Sequence, residues 1–206
     1  MPLDQDLTEF TTVSQAITSF NFTDVVSGTS YLRVFGTGTK NNGSKILTQS
    51  QLEGDLPSTP STSNFEVNFD LKFEKTLIVE GILFVAWSLE TDTGTTNTST
   101  VEIFHVDAAD SETSIGTEVA GRAIGTALRS HRNLTKFEIA ATTFKKGDTL
   151  RITVGIWARE TIEGGGGLLA YGFGHDPKSR TSSDTEVLVA NEPTDFQINI
   201  PFELNI

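Results

Sequence analysis

Three histidines, His105, His131 and His175, are the side chains here best suited to acid–base or metal chemistry. No two of them have the spacing of metal ligands, and none stands beside a serine in a nucleophile motif. His175-Asp176-Pro177, in a glycine-rich stretch, reads either as a metal or acid–base site or as a turn begun by Asp176 and fixed by Pro177; the turn is the plainer reading. Asp107, Asp110 and Glu112 offer oxygen ligands of the kind calcium takes, but their spacing lacks the central glycine of a calcium loop, which favours a solvated loop. Gly164 to Gly167 could cradle a phosphate, yet Leu168 and Leu169 stand where a phosphate loop needs Lys and Ser or Thr. Carboxylates from distant strands leave glycoside hydrolysis open, with nothing positive to support it. The chain has no cysteine, so thiolate sites and disulfides are excluded. No catalytic, metal-binding or cofactor-binding residue is assigned, and no cofactor is expected.

The elements that would position such groups are strands. After the turn Lys145-Lys146-Gly147-Asp148, the residues Leu150, Ile152, Val154 and Ile156 alternate with Arg151, Thr153 and Trp157. That is the pattern of a half-buried antiparallel strand. Phe137, Ile139 and Ala141 predict a partner strand leading into the turn. Strict alternation recurs over 65–73 and 196–206, where Pro201 points to an edge or a bulge. Residues 76–89 are apolar on both faces, which predicts a central, doubly covered strand with a bulge or close approach at Gly81. Shorter strands are expected over 17–22, 30–35, 45–48, 101–106 and 185–190, and a strand rather than a helix over 119–129. Residues 49–63, 90–99 and 107–118 read as loops, and Asn41-Asn42-Gly43 as a tight turn. The fold class is therefore all-β: a single antiparallel β-sandwich over 17–206, preceded by an acidic N-terminal arm over 1–16.

The net charge of −12 disfavours nucleic acid as a partner. No apolar run is long enough to span a bilayer, so no membrane partner is expected. Charge is unevenly spread. The arm carries Asp4, Asp6 and Glu9 around Leu7 and Phe10, whereas Arg122, Arg129, Arg132, Lys136, Lys145 and Lys146 face a single acid, Glu138, in their segment. That basic run reads as a solvated surface or as a patch docking on an acidic neighbour, including another copy of the chain. Leu7, Phe10, Arg122, Arg129, Arg132, Lys136 and Trp157 are accordingly the candidate contact residues of a homo-oligomer.

Several short pieces resemble a group of virion proteins from tailed bacterial and archaeal viruses. They are Phe22-Thr23-Asp24 with Gly28-Thr29, Tyr31 and Phe35; Phe144 with Gly147-Asp148-Thr149-Leu150; Gly174-His175-Asp176-Pro177 with Arg180; and Ile200-Pro201-Phe202-Glu203-Leu204. The resemblance implies a jelly-roll-like sandwich in the virion, decorating a capsid or forming part of a turret or fibre base. It implies a homo-oligomer, with a trimer as the guess, other capsid or virion proteins as partners, and no catalytic residues. Two further functions share the architecture: a carbohydrate- or receptor-binding module, and a small β-sandwich hydrolase.

Overall fold

The computed structural model describes residues 29–38, 45–49, 58–61, 65–91, 96–120, 129–159, 171–177 and 195–203. The arm over 1–16, its boundary with the domain, and the expected features over 17–22, 41–43, 121–128, 164–167 and 185–190 lie outside these residues.

Period-two alternation decides which side chains are buried. In β4 (Phe65–Lys72), Val67 and Phe69 are buried while Glu66 and Asn68 are exposed. In β9 (Thr149–Arg159), Leu150, Ile152, Val154 and Ile156 are buried, as the sequence predicts. β4 and β9 pair antiparallel from Phe65↔Ile156 to Lys72↔Thr149, which aligns the two apolar rows. β6 (Thr96–Val106) flanks β9, and β7 (Glu112–Ala120) flanks β6.

The other wall is built on β5 (Leu77–Thr91). One of its edges takes β8 (Arg129–Phe144). The other takes β11 (Phe196–Glu203) and β10 (Tyr171–Gly174) in succession. β1 (Thr29–Gly38) lies outside β11, and β3 (Ser58–Ser61) outside β10. β2 (Lys45–Thr48) links the walls by pairing antiparallel with β1 and parallel with β4. Among the described residues every element is a strand, as expected. The eleven strands join edge to edge in one curled, mixed sheet rather than two separate ones.

Three stretches read as loops contain strand. β3 falls within 49–63, β7 takes up residues 112–120, and β5 and β6 leave only 92–95 between their ends. Their threonines and serines suit strands once a neighbouring edge supplies the ladder bonds. β5 is central within the sheet, but its outward face is incompletely covered, with Ile82 36% exposed. Gly81 does mark a bulge: the β5–β8 register shifts between Val79 and Gly81, and Gly81 has φ +113°. Pro201 lies against that bulge, 3.5 Å from where a Gly81 Cβ would stand. The β11–β5 ladder stops at Asn199, so Pro201 is tolerated in a strand with neighbours on both sides.

The core fills the space between the walls. Phe69 reaches across to Phe173 and Phe196, with ring centroids 5.8 and 4.8 Å away. A Cβ on Gly36 would stand 2.3 Å from Phe196 Cδ1, so glycine is required for that close approach. Trp87 spans from β5 to β6, where its Nε1–H donates to Ser99 Oγ at 3.1 Å.

Candidate functional site

The β8–β9 turn builds the site. Gly147 adopts φ +96°, and the turn closes with Asp148 N–H donating to Lys145 O at 3.0 Å. Phe73, just beyond β4, holds the turn from the side: its N–H donates to Asp148 O at 2.9 Å and its O accepts from Gly147 N at 2.8 Å. These bonds fix the Asp148 carboxylate, which is buried at the end of the sheet. Asp148 Oδ2 accepts from Lys145 N at 2.8 Å and from His105 Nε2 at 2.8 Å.

His105 comes from β6, directly opposite Leu150 of β9. It therefore continues the inward row of Val101 and Ile103, but at the open end of the sheet, where its side chain stays 22% exposed. Its ring lies edge-on to Phe144, with centroids 4.5 Å apart. The backbone bond from Lys145 and the bond from His105 hold the Asp148 carboxyl below the usual carboxylate range. An ionised carboxylate accepts only, so Nε2 carries the proton and Nδ1 is left as the basic nitrogen. The pair is thus an oriented imidazole able to take a proton.

The same geometry sets a pH dependence. A depressed carboxyl pKa stabilises the fold above the ordinary aspartate value and loses that contribution as pH falls through the folded value. Asp148→Asn is expected to lower the melting temperature at neutral pH and to match the wild type in strong acid. Thermal melts across the acid range check this.

His175 is also placed by strands, but differently. It follows β10 and is fully buried, with ring centroids 5.9 Å from Phe69 and 6.0 Å from Phe173. Burial, with the Lys45 charge as a second cause, pushes its pKa down to about 3. It is a neutral core imidazole, and Asp176 beside it is buried too. Among the described residues no group of three His, Cys, Asp or Glu could hold a metal ion. The Asp107–Glu112 segment is a solvated turn, as expected: Asp107 Oδ1 accepts from Ala109 N and Ser111 N, while Glu112 pairs with Arg151. Arg151 also holds Asp70 of β4 through Nε and Nη2, each at 2.7 Å.

Of the candidate contact residues, Leu7, Phe10 and Arg122 lie outside the described residues. Arg129 opens β8, and Trp157 sits on β9 opposite Thr98. Arg132 and Lys136 are exposed on β8, and Arg132 Nη2 donates to Asp195 Oδ2 at 2.9 Å. The sequence reading missed the pairing of His105 with Asp148. Each residue was visible, one at an inward position and one in a turn, but a register between strands 43 positions apart brings them together.

No family model matches the chain, and no curated protein does. Solved structures do. A CocE/NonD family hydrolase from Staphylococcus aureus shares the fold over 84% of this chain and 37% of its own, with TM-score 0.54 and 11% identity. An aminopeptidase from a marine sediment archaeon, Thaumarchaeota archaeon, shares it over 86% of this chain and 37% of its own, with TM-score 0.53 and 9% identity. The chain spans little more than a third of the length of these proteins. At such identities the likeness is one of fold. These two structures, which share the fold over most of the chain, are hydrolases, and that runs against two expectations drawn from the short motifs: the virion structural role and the lack of catalytic residues.

Proposed function

We propose that this chain is the β-sheet domain of a hydrolase acting on ester or amide bonds, and that the sheet end holding His105 and Asp148 works at the reaction cleft. The fold likeness carries the reading, because it takes in most of this chain and a domain-sized share of each hydrolase. The chain contributes an imidazole oriented by a carboxylate, the arrangement by which a base accepts a proton from water or a hydroxyl nucleophile and returns it to the leaving group. The nucleophile and the donors to the developing oxyanion fall to a catalytic domain beside it.

The test has two arms. The purified chain is assayed on 4-nitrophenyl acetate and an aminoacyl 4-nitroanilide, alone and together with any fluorophosphonate-reactive protein it retains from its native source. Turnover is expected where the reactive protein is present, and His105→Gln is expected to lower kcat/KM about 100-fold there. Absence of turnover in both arms overturns the hydrolase reading. Turnover unaffected by His105→Gln overturns the assignment of the site.

A further inference from the structure

The two outward faces of the curled sheet differ in chemistry. The face of β4, β9 and β6 is polar and internally tied, with Arg151 bound to Asp70, and Thr153 Oγ1 donating to Asn68 at 2.9 Å. The face of β8, β5, β11 and β1 is apolar at its centre. Leu134 is 72% exposed on β8 opposite Ala86, Ile82 is 36% exposed four positions along β5 from Ala86, and Phe84, between them, meets Tyr31 with centroids 6.3 Å apart. The register places Arg33, Asn199, Phe84 and Lys136 in one row across the four strands. Two exposed cations, Arg33 and Lys136, thus lie on this face against one exposed acid on β8, Glu138, and among the described residues neither cation is in an ion pair.

We infer that this face is the docking site of the chain's own first ten residues, Met1–Phe10. Charge and reach both argue for that occupant. The segment carries Asp4, Asp6 and Glu9 around Leu7 and Phe10, so its acids match Arg33 and Lys136 and its apolar side chains match Leu134 and Ile82. The linkage is short enough. β1 begins at Thr29 and lies three strands from β8, about 14 Å sideways and about 20 Å along the strands from the level of Leu134. The residues from Phe10 to Thr29 extend to about 60 Å. A tethered segment meets the face at a far higher effective concentration than a free partner does. The inference stands independently of the hydrolase reading.

The absence of cysteine makes disulfide trapping clean. Thr8→Cys is combined either with Glu138→Cys, beside Ile82 on the apolar face, or with Glu66→Cys, exposed on the polar face. Under mild oxidation the first pair is expected to close within one chain about tenfold faster than the second. Adding Leu134→Asp, or Lys136→Glu as a second variant, is expected to slow the first pair to the rate of the second. Equal rates for the two faces overturn the inference. So does a cross-link that forms only between chains, which would give the face to a second copy.

Discussion

Replacing Phe69 by alanine will destabilise the fold by about 3–5 kcal/mol. Phe69 is fully buried and touches aromatic rings from the opposite wall, Phe173 and Phe196, as well as His175. Removing the ring takes away the contact that joins β4 to β10 and β11 across the core. The surrounding side chains are held by strand ladders and cannot collapse into the space, so the cavity cost adds to the lost transfer energy. Urea unfolding monitored by tryptophan fluorescence measures this as a fall in midpoint at unchanged slope. A loss below about 1 kcal/mol would mean that the walls do not meet through Phe69.

Acid will begin to destabilise the protein before its carboxylates are protonated, because His175 is buried neutral. Its folded pKa is pushed down to about 3 from an ordinary value of 6.5, first by burial and then by Lys45. The sign follows from linkage. The unfolded chain binds the proton more tightly, so the stabilisation is full above about pH 6.5 and is lost progressively as pH falls to about 3. Each pH unit inside that window costs about 1.4 kcal/mol, and the whole descent about 5 kcal/mol. Asp148 adds its own loss only below the ordinary carboxylate range. Unfolding free energies measured across the window should therefore fall for the wild type, whereas His175→Gln should start lower and stay flat down to the carboxylate range. A flat wild-type profile above the carboxylate range would show that His175 is not a buried neutral base.

The parts legible in the sequence were those governed by local periodicity. The alternation of Phe65–Lys72 and of Leu150–Ile156 gave both the strands and their buried faces, because one side chain in two must leave water. Gly81 announced its bulge, since few other residues adopt that backbone. The missed strands, β3 and β7, are polar and irregular; neighbouring edges make them strands, and no residue within them signals that. His175 illustrates the limit at the level of a site. Its setting of Gly, Asp and Pro looks like surface turn chemistry, and only the aromatic rings of Phe69 and Phe173, brought from other strands, make it a core residue. The His105–Asp148 pair was hidden for the same reason, because it depends on the β6–β9 register.

The position of β11 sets the timetable of folding. It is the last described strand in sequence, yet it lies between β1 and β5 and gives Phe196, Ile198 and Ile200 to the core. Until residue 203 has left the ribosome, β1 and β5 face each other with open edges and no strand to fill them. The sheet thus cannot be completed until that strand arrives from a distant part of the sequence. In that interval two apolar edges are exposed together, a template for pairing with other nascent copies. Slow translation up to β11 would lengthen this exposure without advancing folding, and a holdase chaperone acting in that interval would raise the yield of soluble protein.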